Sequence, residues 1–177
     1  MKAFFFDRDG TLNIDSGYIN NSNNMVLFPS VLKVLQYIKF LGYKIFVISN
    51  QSGIGRGFIK PFEYRSVSNK FLSLVGNNII DDILYCPHSP KDECICRKPK
   101  TFFLEIVNEH YDIDFEKSFF VGDKITDIDC GRSLGMRTIL IQNNELKNGI
   151  HFEGGTNVVI PDKIIGSIKE LMDFIKE

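Results

Sequence analysis

The chain has 177 residues, 44% hydrophobic and 24% charged, the balance of an ordinary globular domain with length enough for one full core. A formal net charge of -1 and a pI near 6.3 lack the basic excess of a nucleic-acid or membrane-surface protein. No apolar run approaches the roughly 18–20 residues that span a bilayer, and charge cuts the N-terminal run short, so it reads as a strand and not a signal peptide.

A cytoplasmic protein with no nucleic-acid or membrane partner is therefore expected, and the elements follow in chain order. Ala3–Phe6 is predicted as an apolar strand, and Ser30–Leu41 as a helix with period through Val31, Leu32, Leu35 and Ile38, stopped by Gly42. Lys44–Ile48 is the second strand, Pro61–Val75 a helix with proline in its first turn, and Asp82–Tyr85 a third strand. Thr101–His110 (helix), Ser118–Val121 (strand), Ile125–Leu134 (helix) and Arg137–Ile141 (strand) come next. Val158–Ile160 is a candidate sixth strand and Ile164–Ile175 a closing helix. Continuous apolar strands alternating with amphipathic helices predict an α/β fold: one Rossmann-like, doubly wound, mostly parallel sheet in a single domain over 1–177, without a large cap.

In such sheets ligands bind beyond the carboxyl ends of the strands, and the polar clusters lie there. Asp7-Arg8-Asp9-Gly10 follows the first strand. Strand spacing i, i+2 would aim both carboxylates at one face, where repulsion needs a cation or a raised pKa to offset it. Alone, an Asp-x-Asp-Gly could equally be a solvated turn. Ser49-Asn50-Gln51-Ser52, Lys98 and Asp123-Lys124 reach the same rim from other strand ends. Asp7, Asp9 and Asp123 form an all-oxygen set suited to Mg²⁺. Acids, a divalent cation, lysines and a hydroxyl around one point fit phosphoryl transfer.

Of the 4 cysteines, Cys86, Cys94 and Cys96 cluster, with His88 between them. Three thiolates and an imidazole suit a structural, closed-shell zinc that stiffens the loop leading to Arg97 and Lys98. Cys130 reads as core, and His110 as a residue near a helix C-terminus. His151 has no evident partner, and Asp127 could support the metal or cap its helix.

Phe6-Asp7-Arg8-Asp9-Gly10-Thr11, Ile48-Ser49-Asn50-Gln51, Arg97-Lys98-Pro99 and Val121-Gly122-Asp123-Lys124 resemble the four motifs of the haloacid dehalogenase superfamily, in order and over most of the chain. The resemblance implies a phosphatase in which Asp7 attacks phosphorus and forms an aspartyl-phosphate. Asp9 would protonate the leaving oxygen and then serve as base for water. Ser49 and Lys98 would hold phosphate oxygens, with Mg²⁺ between Asp7, the Asp9 carbonyl and Asp123.

Zinc followed by Arg-Lys-Pro resembles the branch of histidinol-phosphate and heptose-bisphosphate phosphatases. Asn13–Tyr18 and Asn50–Gly57 are similar to the D-glycero-D-manno-heptose 1,7-bisphosphate group. That similarity implies a small sugar-phosphate substrate, met by Asp15, Ser16, Gly17, Tyr18, Asn50, Gln51, Ser52, Arg97 and Lys124, and a monomeric enzyme. The short spacer Ser89–Glu93 instead resembles the histidinol-phosphate enzymes. Two non-enzymatic alternatives are a receiver-like signalling domain and an inactive zinc-stabilised binding module. The first would need an aspartate ending the third strand, where Tyr85-Cys86 stands; the second would be favoured by loss of an essential acid, and Asp7, Asp9 and Asp123 are all present.

Overall fold

Four apolar residues, Ala3–Phe6, form β1, and each is fully buried because helices cover both faces of the sheet. Alternation then divides them: Phe4 and Phe6 join one core layer with Val34, Leu35 and Phe71, while Ala3 and Phe5 join another with Leu104, Val107 and Cys130. Cys130 is thus core, as read from sequence. The computed structural model of the protein describes residues 1–143 and 159–175; His151 lies outside them.

The sheet contains β2 (Lys44–Asn50), β3 (Asp82–Cys86), β4 (Phe119–Gly122), β5 (Arg137–Ile141) and β6 (Lys163–Ile165) in the order β3-β2-β1-β4-β5-β6. Every strand pairing is parallel. The helices are α1 (Val31–Phe40), α2 (Ser52–Gly55), α3 (Pro61–Val75), α4 (Phe102–Tyr111), α5 (Ile125–Arg132) and α6 (Leu171–Phe174). After β1 the chain winds outward through β2 and β3, then returns to lay β4, β5 and β6 on the other side. The winding reverses at β1 and β4, where a doubly wound sheet opens its crevice. Among the described residues no helix is long and apolar enough to cross a membrane.

The strands outlast their apolar runs. Ser49 pairs with Tyr85 and Asn50 with Cys86, so residues expected in loops stand on the hydrogen-bonded ladder. Polarity marks where burial ends, whereas the ladder continues as long as a neighbour supplies partners.

The C-terminal expectations change. No strand covers 159–160, and Val158 lies outside the described residues. The sixth strand is Lys163–Ile165, docked on β5 by Asp162, whose Oδ2 accepts from Thr138 N at 2.7 Å and Thr138 Oγ1 at 2.9 Å. The predicted helix from Ile164 is instead β6, a 3₁₀ turn (Ile168–Glu170) and α6. Glu170 Oε1 accepts from Gly166 N at 3.1 Å and Ser167 N at 3.0 Å, which holds the backbone extended before the turn begins.

Candidate active site

Asp7 emerges from β1 buried, its N–H bonded to Val121 O of β4 at 2.9 Å. Lys98 rises beneath it, equally buried, and donates to Asp7 Oδ1 at 2.5 Å, Ile48 O at 2.5 Å and Asp127 Oδ1 at 2.7 Å. An ammonium has three protons, and all three are committed. Lys98 therefore braces β1, β2 and α5 here, and meets a phosphate only by exchanging one of these acceptors for it. Asp7 Oδ2 takes no part in that contact.

Asp9 departs from the expected geometry. β1 ends at Phe6, so strand alternation no longer applies and the two carboxylates diverge. Asp9 accepts from Arg8 Nε (3.1 Å) and Nη2 (2.8 Å), Asn13 Nδ2 (3.0 Å) and Gln51 Nε2 (2.6 Å). Burial pushes its pKa up, but the Arg8 guanidinium and these donors outweigh it and hold the carboxyl below its usual range. In this conformation Asp9 is a carboxylate, suited to the base half of the implied cycle. The protonated form assigned to the acid half requires this network to open.

The crowding expected between Asp7 and Asp9 occurs instead across the β1–β4 crevice. One oxygen each of Asp7, Asp123 and Asp127 lies within 4.8 Å of the others. Glycines admit the two β4-side acids. A Cβ on Gly10 (φ +90°) would stand 2.4 Å from Asp123 Oδ2, and one on Gly122 would stand 2.3 Å from Asp127 Oδ2. Asp127, left open by sequence between helix cap and metal support, has both oxygens engaged: Oδ1 on Lys98, Oδ2 accepting from Lys124 N at 3.1 Å. Asp7 and Asp123 are the freer oxygens, and this hard donor set fits Mg²⁺.

Burial raises Asp7 to about 6, against Lys98, and raises Asp123 to about 8, with Asp7 adding to the push. The unfolded carboxyls titrate near 3.8. Between about pH 4 and 8 the folded chain therefore binds more protons than the unfolded chain, and this cluster lowers stability as pH rises. In Mg²⁺-free buffer the melting temperature is expected to fall on the order of 5 °C from pH 5 to 8, and millimolar Mg²⁺ to abolish the fall by favouring the ionised forms. A melting temperature that rises over this window without Mg²⁺ would refute the acid-cluster assignment.

Cys86 ends β3, and the loop after it returns to the site. Cys86 Sγ lies 3.5 Å from Cys94 Sγ and 3.6 Å from His88 Nδ1, Cys96 Sγ lies 3.7 Å from Cys94 Sγ, and His88 Nδ1 lies 3.3 Å from Cys96 Sγ. Zn–S bonds of about 2.3 Å imply tetrahedral edges of roughly 3.8 Å, so this Cys₃His cluster could hold zinc. Gly55 of α2 packs on the loop, its N–H bonded to Pro87 O at 2.8 Å. Asn50 then clasps Lys98, donating to Lys98 O (3.2 Å) and accepting from Lys98 N (3.0 Å). Asn50, expected as a substrate contact, spends its amide on this clasp.

These elements enclose a cavity of about 610 Å³. Asp7, Asp9, Ser49, Gln51, Ser52, Lys98 and Lys124 line it with Asp15, Gly17, Tyr18 and Arg97. Asp123 lies outside the lining, against Gly10, and Ser16 is exposed beside the turn in which Gly17 N bonds Asp15 Oδ1 at 2.9 Å. Sequence reasoning missed Gly53, Ile125, Thr126 and Asp127 as lining residues. Only Asp127 carried a chemical signal, four residues beyond Asp123 at a helix start. A Cβ on Gly53 would stand 2.6 Å from the Tyr18 ring, so that glycine is what lets the tyrosine pack here. Arg97 Nη1 is buried with no hydrogen-bond partner among the described residues.

A sheet that gathers an aspartate after β1, a serine on β2, a braced lysine and acids after β4 defines a haloacid-dehalogenase-like hydrolase. The HAD-hydrolase-like family model matches residues 95–171. The fold is shared with a crystal structure of D,D-heptose 1,7-bisphosphate phosphatase from B. bronchiseptica complexed with magnesium and phosphate (TM-score 0.84, 23% identity, 99% of this chain and 98% of that one). Curated relatives carry the likeness further. D-glycero-beta-D-manno-heptose-1,7-bisphosphate 7-phosphatase of Helicobacter pylori J99 is 36% identical, over 99% of this chain and 97% of its own length. D-glycero-alpha-D-manno-heptose-1,7-bisphosphate 7-phosphatase of Campylobacter jejuni is 32% identical, over 99% and 96%. The chain belongs to the heptose-bisphosphate phosphatase family of haloacid-dehalogenase-like enzymes and is a phosphoric monoester hydrolase.

Proposed function

We propose that the protein hydrolyses the 7-phosphate of D-glycero-D-manno-heptose 1,7-bisphosphate through an aspartyl-phosphate on Asp7. Asp7 carboxylate oxygen attacks phosphorus as the phosphorus–sugar oxygen bond breaks, and Asp9 delivers a proton to the departing oxygen. Asp9 then takes a proton from water as that water attacks phosphorus, which releases inorganic phosphate and restores Asp7. Ser49 and Lys98 hold phosphoryl oxygens, and Asn50 and Asp127 keep Lys98 in place. Mg²⁺, which Asp7, the Asp9 carbonyl and Asp123 would hold, would supply positive charge to offset the negative charge on the phosphoryl oxygens. Zinc in the Cys86, His88, Cys94, Cys96 cluster has all four positions filled by protein, so its role is to hold the loop that presents Arg97 and Lys98.

The observation that carries the bisphosphate reading is Arg97. A buried guanidinium donor without an acceptor costs about 1–3 kcal/mol; Nη1 of Arg97 is such a donor, and Arg97 is among the residues that line the cavity. A guanidinium that turned this donor toward the cavity would gain an acceptor there, and its fork suits a second phosphate. The short Ser89–Glu93 spacer favours the histidinol-phosphate reading, whose substrate has a single phosphate.

The test is phosphate release, with Mg²⁺, from the α and β anomers of heptose 1,7-bisphosphate and from histidinol phosphate. A kcat/KM at least about tenfold higher on one heptose anomer is expected, the worth of one charge-assisted contact. Equal or better turnover of histidinol phosphate would overturn the substrate. The relatives' names include both anomers at similar identity, so the assay and not the likeness chooses between them.

A further inference from the structure

Gln51, grouped by sequence with the substrate contacts, has its amide nitrogen engaged with the protein. Nε2 lies 2.6 Å from Asp9 Oδ2 and 2.6 Å from Ser49 Oγ, and the residue is 6% exposed. A carboxylate can only accept, so the atom facing Asp9 must be nitrogen, and the amide orientation is settled by its partner. That nitrogen has two protons, one for each contact. Ser49 Oγ is therefore an acceptor toward Gln51, and its own proton points elsewhere. No other hydrogen bond of Ser49 Oγ exists among the described residues, and Ser49 lines the cavity beside Asp7.

We infer that Gln51 is a positioning residue that aims the Ser49 hydroxyl proton into the cavity and ties it to the location of Asp9. One amide thus links the group that would hold a phosphoryl oxygen to the group that would move the proton. The inference rests on the phosphoryl-transfer roles proposed above for Ser49 and Asp9, but not on which sugar is the substrate. Through Ser49, which faces the phosphoryl group common to every donor, the effect of Gln51 is felt whatever the leaving group, whereas a substrate contact acts only on the molecule it touches.

The measurement is kcat and KM of Gln51→Leu on two phosphoryl donors, acetyl phosphate and heptose 1,7-bisphosphate, with Mg²⁺. A kcat loss on the order of 30-fold is expected on both, with KM within about threefold, because the loss falls on transition-state stabilisation and not on ground-state binding. In the Ser49→Ala background the same change should cost several-fold less, since half of what Gln51 organises is already gone. A loss confined to the sugar bisphosphate and expressed in KM would make Gln51 a substrate contact and overturn the inference, as would full additivity with Ser49→Ala. Should the leucine variant fail to fold, Gln51→Glu keeps the size but has no N–H for either neighbour. It must then lose at least as much kcat on acetyl phosphate, and wild-type turnover would refute the positioning role. If the wild type turns over acetyl phosphate but not the heptose, the substrate reading falls while Gln51 is still judged on acetyl phosphate.

Discussion

Asp7→Asn is expected to abolish turnover, by a factor on the order of 10⁴–10⁶, while leaving the fold and the cavity in place. Asparagine has the shape of aspartate but no anionic oxygen to attack phosphorus, so the covalent route closes. Its backbone bond to Val121 O survives, and Lys98 keeps Ile48 O and Asp127. Burial already pushes Asp7 toward its neutral form, so a neutral isostere should not lower the melting temperature in Mg²⁺-free buffer. Acid-quench analysis with labelled substrate should find phosphoryl label on wild-type protein and none on the variant. Retention of even a tenth of wild-type turnover would remove Asp7 as nucleophile.

The second large effect is expected at Lys98. Lys98→Ala leaves two carboxylates, Asp7 and Asp127, without the ammonium that sits 2.5 and 2.7 Å from them. Removing one partner of a buried ionic group costs about 3–5 kcal/mol, or roughly 10 °C of melting temperature for a chain of this size. Mg²⁺ should recover part of that stability, since a cation among the same carboxylates offsets their charge, but should not recover activity. Calorimetry with and without Mg²⁺ reads both statements, and an unchanged melting temperature in Mg²⁺-free buffer would show that Lys98 is not the brace described. The loop that carries Cys86, His88, Cys94 and Cys96 reaches Lys98 by another route. Cys96 stands two residues before it, and Cys96→Ser should lose both zinc, by elemental analysis, and most turnover. Full activity in a zinc-free variant would separate the metal from the site.

Much of the site was legible because its residues carry chemistry and stand where apolar runs stop. Asp7, Ser49, Lys98 and the Cys86, His88, Cys94, Cys96 set are of this kind, and the structure brings each to its expected neighbourhood. Arg8 was not legible as a participant, because an arginine between two aspartates reads as a solvated turn residue. It is instead 1% exposed, paired with Asp9 at 2.8 Å. Asp127 was visible but undecided, since a helix cap and a salt bridge demand the same residue, and here one carboxylate does both. The sixth strand was misplaced because Val158–Ile160 is wholly apolar, whereas Lys163–Ile165 opens on a lysine and merges with the apolar period of the predicted closing helix. The bonds from Thr138 to Asp162 choose the second.

The sequence by itself determined the alternation of strands and helices, the parallel sheet, and the rim on which the polar clusters lie. These follow from apolar period and from the residue where each run ends, both local properties of the chain. Only the tertiary structure decided which charges meet. Asp9 turns from Asp7 toward Arg8, Asn13 and Gln51, and Asp123 comes to rest against Gly10 across 113 positions of sequence. Lys98 is drawn under Asp7 and Asp127 by a clasp from Asn50. Such pairings depend on the sheet order and on glycines that let backbones approach, and neither is encoded in the spacing of the residues that pair.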